Sequence, residues 1–152
     1  AVARRTYTIS DRNGPSAYRI SVKKSSQRDA SASVWLHEHA AVGTEVRFYK
    51  PSGSFVLQPS EDPVVLMSAG IGITPMLAML KQLAEQNVRR EVLFVHSTQT
   101  PQSHAFRDEV NSIAQGRGNI KVISFYSHLK SNEALQTAAH AGRMTPSLLA
   151  PY

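Results

Sequence analysis

Hydrophobic and polar positions along this chain follow two different periods. In residues 4–50 the apolar runs are short: RRTYTIS, YRISVKK and TEVRFY each read as strands, separated by RNGPS and by a Ser-rich stretch that supply turn residues. Within YRISVKK, Tyr18, Ile20 and Val22 alternate with Arg19, Ser21 and Lys23, the period of a strand with one buried face. A small antiparallel barrel or sandwich is expected there. Between the second and third runs, SASVWLHEHA holds enough apolar residues for one or two helical turns, with Trp35 and Leu36 expected in the core and Gly43 as a C-terminal stop.

The period changes after PSGSFVLQPSEDP, where Pro51, Gly53, Pro59 and Pro63 cluster. DPVVLMSAG is an apolar run of strand length. ITPMLAMLKQLAEQN is helical, with Leu77, Leu80 and Leu83 on one stripe. EVLFVHS is a second strand, SHAFRDEVNSIAQ a second amphipathic helix and NIKVISFYS a third strand. Met67, Met76 and Met79 fall on faces expected to pack into the core. The order βαβαβ predicts a parallel sheet with right-handed crossovers and a ligand crevice outside the carboxyl ends of its strands. Residues 133–141 are expected to add a short helix, and the final TPSLLAPY reads as cut off.

With 152 residues and 41% hydrophobic side chains, the chain suits one domain or two small packed ones and does not read as extended disorder. Seventeen Lys and Arg against eleven Asp and Glu give a formal charge of +6, which favours anionic ligands or an acidic partner. Residues 1–62 carry nine basic and six acidic groups and residues 63–152 eight and five, so there is no basic tail. Zero Cys excludes a disulfide, a thiolate zinc site or a Cys-ligated iron-sulfur cluster within this chain. No apolar run approaches the roughly twenty residues that cross a bilayer, and AVARRTYTIS lacks the apolar middle of a signal peptide. A soluble protein is expected, with the cytosol as its default compartment.

Two stretches carry candidate chemistry. SAGIGITPM, residues 68–76, sits where a buried strand turns into a helix. Gly70 and Gly72 let the backbone turn tightly and approach a phosphate, and a helix N-terminus offers free N–H groups and a positive dipole end. Pro75 suits a first helical turn, where its missing N–H is no loss, but it stands where the common G-x-G-x-x-G has its last Gly. Two glycines after a strand equally fit an ordinary tight turn. In RTYTIS, residues 5–10, Arg5 and Tyr7 share one face of a strand: a fixed cation for phosphate and a flat ring for a planar heterocycle, with Thr8 adding a hydroxyl. Tyr7 as a half-buried sheet aromatic and Arg5 as a solvated charge fit the same pattern. His37 and His39 are two apart and so diverge on a helix, which favours surface placement over a metal pair. His96 ends a strand beside the expected crevice, and no Ser, His and acidic residue fall into a triad.

Arg5-Thr6-Tyr7-Thr8 followed by Gly70-Ile71-Gly72-Ile73-Thr74-Pro75 resembles the ferredoxin-NADP reductase family, especially the reductase modules of flavohaemoglobins and of oxygenase reductases. YRISVKK, SVWLHEH, PSGSF, HAFRDEV and GRMTPSLL match further stretches in the same order. The resemblance implies an incomplete antiparallel FAD-binding β-barrel over residues 1–60, with N-terminal strands missing. An α/β parallel-sheet NAD(P)-binding part, lacking its C-terminal portion, would follow over residues 61–152. The piece is expected to cover about two thirds of one module.

The resemblance also implies roles. Arg5 contacts the FAD pyrophosphate, Tyr7 stacks beside the isoalloxazine, and Thr8 hydrogen-bonds near flavin N5. Val22 and Lys23 follow the FAD phosphates or ribose, and Ser33 opens a phosphate-binding helix. Ala30 stands where many members carry Gly. Gly70, Ile71, Gly72, Ile73, Thr74 and Pro75 form the turn that holds the NAD(P)H pyrophosphate and guides the nicotinamide, and Ser97 borders the ribose, where neither an acidic residue nor an Arg decides between NADH and NADPH. Tyr7, Thr8 and Thr74 are then the catalytic set. The implied activity is that of an NAD(P)H-dependent FAD oxidoreductase: hydride transfer from NAD(P)H to FAD, then electrons passed singly to a haem globin, a ferredoxin or an oxygenase component, which can lie on the same parent chain. Neither nucleic acid nor a membrane is an expected partner. The competing readings are a non-catalytic binding or sensing module that keeps the fold, and a basic nucleic-acid-binding domain, which the dispersed Lys and Arg disfavour.

Overall fold

The computed structural model describes residues 5–12, 17–25, 32–87, 89–129 and 139–152. Its two parts are those expected, an antiparallel piece followed by an α/β unit on a parallel sheet. The antiparallel piece is a two-stranded ribbon, β1 (Ile9–Arg12) and β2 (Tyr18–Ile20), rather than a closed barrel. The expected strand over residues 4–10 is displaced: the ladder begins at Ile9, paired with Ile20, and residues 5–8 lie outside it. A register irregularity between Ile9 and Asp11 leaves Ser10 as the extra residue. Its hydroxyl is buried and lies 2.7 Å from the Ser21 hydroxyl.

The ribbon turns the opposite face inward from the one its alternation suggests. Tyr18 and Ile20 are each 44% exposed, whereas Arg19 between them points into the body of the protein. Two acidic groups hold it there. Arg19 Nη2 lies 3.1 Å and 3.3 Å from the two Glu109 carboxylate oxygens, its Nη1 3.8 Å from Asp11, and the guanidinium sits 5.4 Å from the centre of the Phe106 ring. Tyr18 instead meets Phe48 edge to face. TEVRFY, expected as a third strand, is not one. It joins neither sheet among the described residues, and Val46, Phe48 and Tyr49 are exposed.

Helix α1 (Ala32–His39) follows the expected position, but Trp35 is exposed rather than in the core and stacks on His39 at a centroid distance of 5.5 Å.

The second unit has the order β3 (Val64–Ala69), α2 (Ile73–Glu85), β4 (Val92–Thr98), α3 (Arg107–Ala114), β5 (Ile120–Tyr126), β6 (Ala139–Ala141) and α4 (Pro146–Leu149). Its four strands lie in sequence order and pair in parallel. Helix α2 buries Ile73, Thr74, Leu77, Leu80 and Leu83, spaced by three after the first pair, against Leu66, Val92 and Phe94. It ends where Asn87 takes a left-handed φ of +49°, the role a glycine usually fills at a helix C-terminus. A second cluster, Val95, Ile123 and Phe125, lies against Met144 and Leu149. Met76 and Met79 pack on the first cluster as expected, but Met67 is exposed, because it alternates with Leu66 on an edge strand. Of the expected helix over residues 133–141, residues 133–138 lie outside the described residues and Ala139–Ala141 is strand β6.

The ribbon docks on α2 through β1. Lys81 of α2 reaches both Asp11 and Glu109, completing a cluster of two cations and two carboxylates with Arg19. Burial acts against the Lys81 ammonium, but its hydrogen bonds to both carboxylates outweigh this and raise its pKa above the usual value; Glu109 is lowered, because Lys81 and Arg19 outweigh its own burial. Replacing Lys81 by Met leaves the buried Asp11 and half-buried Glu109 carboxylates with Arg19 as their one remaining shared cation. Lys81→Met is expected to destabilise the protein by about 1–3 kcal/mol, with non-additivity against Asp11→Asn of about 1 kcal/mol, measured by urea unfolding in a double-mutant cycle. Additive effects would mean the pair does not couple the two parts.

Candidate functional site

The glycine turn expected from the sequence lies at the carboxyl edge of the parallel sheet. Residues Gly70–Gly72 form a single 3₁₀ turn between β3 and α2. Gly70 has φ of +51°, a left-handed conformation that disfavours any side chain with a Cβ. Ile73 is fully buried, and its N–H donates to the Gly70 and Ile71 carbonyls within the turn. The Thr74 hydroxyl is likewise buried and donates to the Ile71 carbonyl at 3.2 Å, closing the turn on itself. No side chain caps the start of α2. Ile71 is exposed, Pro75 half-buried in the first helical turn, and Ser97 half-buried opposite Ala69 in the β3–β4 ladder, one residue from the turn.

The other predicted residues fall into two groups. Arg5 and Thr8 are exposed and Tyr7 half-buried, in the stretch that leads into β1; because β1 packs along α2, that stretch is tied to the helix that the glycine turn begins. Val22, Lys23 and Ser33 gather on one side of α1. The Ser25 N–H donates to the Ser33 hydroxyl at 3.4 Å, His37 Nε2–H donates to the Val22 carbonyl at 2.8 Å, and Lys24 pairs with Glu38 at 3.3 Å. Lys23 is exposed. Ala30 lies outside the described residues. His37 and His39 are exposed, and among the described residues no group of three or more His, Cys, Asp or Glu is placed to hold a metal ion.

A buried polar group at the same edge was not legible as such. His96 is more than a strand-end residue: it is 1% exposed, its Nδ1 lies 2.9 Å from the Ser68 hydroxyl, and its ring sits 4.7 Å from that of His104. His104 Nδ1 lies 2.9 Å from the Tyr126 hydroxyl. Ser68 and His96 are register partners in the β3–β4 ladder, a pairing that the parallel order alone could have suggested. Nothing in the spacing of His104 pointed to it. Burial lowers both imidazoles to a pKa of about 4; the neighbouring His104 depresses His96 further, and for His104 the Arg107 guanidinium depresses and Asp108 partly restores. Both rings are therefore neutral near neutrality.

Comparison with known proteins matches this geometry. The family described as "Oxidoreductase NAD-binding domain" matches residues 66–150. A flavohemoprotein of Deinococcus radiodurans is 42% identical over 142 residues, covering 93% of this chain, and one of Pseudomonas putida is 36% identical over all 152. The chain spans 35% and 37% of the length of these relatives. The FAD/NAD-binding domain of a nitric oxide dioxygenase from Vibrio cholerae superposes with a TM-score of 0.83 at 31% identity, over 94% of this chain and 59% of that one. A cytochrome P450 reductase of Amycolatopsis shares the fold, with a TM-score of 0.79 at 21% identity over 98% of this chain and 44% of that one. Among the described residues no helix is long and apolar enough to cross a membrane.

The two neutral histidines give a pH dependence of known sign. Between the ordinary value of 6.5 and about 4 the unfolded chain binds protons that the folded chain does not. Their contribution to stability is thus complete above pH 6.5 and is lost as pH falls towards 4. The urea midpoint is expected to drop across that window, and His96→Gln is expected to flatten the slope. An unchanged slope in that variant would show that His96 titrates alike in both states.

Proposed function

The chain belongs to the oxidoreductase NAD-binding domain family, and from that premise we propose that it is part of an NAD(P)H-dependent flavoprotein reductase. Residues 61–152 form its NAD(P)-binding part and residues 1–60 a piece of its FAD-binding barrel. The reading is carried by one observation, the strand–turn–helix unit at residues 64–85, whose left-handed Gly70 and uncapped α2 stand at the carboxyl edge of a parallel sheet. The residues present fit a dinucleotide. The turn places no charged side chain over the start of α2, and its one hydroxyl, that of Thr74, is spent inside the turn. A pyrophosphate can therefore lie against backbone N–H groups without meeting a carboxylate.

Each predicted residue has a role that its position supports. Gly70, Ile71 and Gly72 hold the NAD(P)H pyrophosphate with their backbone, while Ile73 anchors the turn through its buried side chain and its N–H to the Gly70 and Ile71 carbonyls. Thr74 and Pro75 fix the turn and with it the direction in which the nicotinamide leaves. Ser97 hydrogen-bonds the ribose from the neighbouring strand. Arg5 neutralises the FAD pyrophosphate, Tyr7 covers a face of the isoalloxazine, and Thr8 donates near N5. Val22 and Lys23 follow the FAD phosphates, with Ser33 at the start of α1 beside them. When both cofactors are bound they would supply the chemistry, transfer of a hydride from nicotinamide to flavin, whose two electrons would then leave one at a time while the proton goes to solvent. The protein supplies alignment and keeps charge away from the ring contact. The electrons go to a haem or iron-sulfur partner, with a haem globin on the same parent chain as the first candidate, in the cytosol.

Two measurements test this. The parent protein, given FAD, is expected to bind it as a yellow species that bleaches anaerobically with NADH or NADPH; a parent protein that stays colourless would remove the reading. Gly70→Val is expected to cost about 1–2 kcal/mol of stability through the left-handed backbone and to weaken NAD(P)H binding by about tenfold or more. Unchanged affinity in that variant would place the dinucleotide elsewhere.

A further inference from the structure

Beneath the glycine turn, four polar side chains cross the end of the sheet almost without reaching solvent. A Cβ at Gly72 would lie 4.0 Å from Ser68 Cβ, so Ser68 stands against the residue from which α2 starts. From Ser68 the contacts run to His96, from His96 ring to ring to His104, and from His104 to the Tyr126 hydroxyl. The four come from β3, β4, the segment ahead of α3, and the last residue of β5. All four are buried, at 8%, 1%, 9% and 4% exposure.

Closing a sheet edge with polar groups is less favourable than closing it with apolar ones unless every group is paired. Among the described residues, His104 Nε2 is buried without a partner. The bond between His104 Nδ1 and the Tyr126 hydroxyl ties the segment after β4 to the end of β5, while the His96–Ser68 bond ties β4 to the end of β3 beside the turn.

We propose that His104 is a positioning residue for the turn at residues 70–74, acting through His96 and Ser68 on one side and Tyr126 on the other. It sets the spacing between that turn and the ends of β4 and β5, across which a dinucleotide would lie. Its functional consequence rests on the NAD(P)H reading; the structural coupling does not.

The test uses three variants of the full chain with two readouts, the backbone amide resonances of residues 70–74 and the affinity for NADH and NADPH. Tyr126→Phe removes only the hydroxyl, His104→Leu removes the ring nitrogen that bonds it, and His104→Asn keeps a hydrogen-bonding amide near the position of Nδ1. Tyr126→Phe and His104→Leu are expected to move the amide resonances and to weaken nucleotide binding by on the order of tenfold, without adding in the double variant, since both break the same bond. His104→Asn is expected to restore most of the affinity and the resonances. Unmoved amide resonances in both disrupting variants would overturn the proposal, whether or not nucleotide binds. Equal losses in the Leu and Asn variants would also overturn it, since the ring rather than its hydrogen bond would then be at work. Moved resonances in a chain whose wild type binds neither nucleotide would support the coupling and remove the NAD(P)H reading. Should His104→Leu fail to fold, Tyr126→Phe decides by the same two readouts.

Discussion

Lys81 stands between Asp11 and Glu109 where the ribbon meets the second unit, and it ties β1 to both α2 and α3. The ribbon has little apolar surface to offer inward, because its two apolar β2 residues face out. What it turns inward instead is Arg19 and Asp11, which meet one acidic and one basic residue from two helices. The group is neutral as a whole, so half-burying it demands no uncompensated charge. An apolar seam would bind as well but would allow sliding. Hydrogen-bonded ions of fixed position set a register, and the stretch at residues 5–8 inherits that register through β1.

A site built from backbone follows from the same division of labour. Ile73 and Leu77 are fully buried in the core under α2, so the start of this helix is held from below by packing while its upper side keeps its N–H groups. Thr74 closes the turn with its own hydroxyl rather than reaching outward. Rigidity here comes from the core, and recognition comes from peptide groups. That arrangement suits a phosphate, which needs donors at fixed positions more than it needs a particular side chain.

The second half of the fold was legible because its signals are local. The stripe of Leu77, Leu80 and Leu83, the two glycines and the apolar strand runs each fix an element from within a short window. The first half was not, because its pattern depends on partners. Alternation in YRISVKK marks two faces but not which one is buried, and the choice is made by Glu109, ninety residues away. TEVRFY has strand composition and no ladder among the described residues. Trp35 looked like core by type alone, yet stacks on His39 at the surface. Of the candidate site, the glycine turn and the ribbon stretch could be read from motifs. The Ser68–His96–His104–Tyr126 chain could not, since it joins residues that only the parallel register and the turn before α3 bring together.

Those histidines also show how a polar group can lie beneath the glycine turn without placing a charge there. A protonated imidazole there would be a buried cation, drawing a phosphate down towards the sheet and away from the N–H groups of α2. Burial of both rings, the effect of His104 on His96 and that of Arg107 on His104 favour the neutral form. The rings then act through direction rather than charge: each holds a neighbour by one hydrogen bond, and the electrostatics of the crevice are left to the helix terminus. Side chains that are polar enough to specify position, and neutral enough not to bind, are what a backbone site needs underneath it.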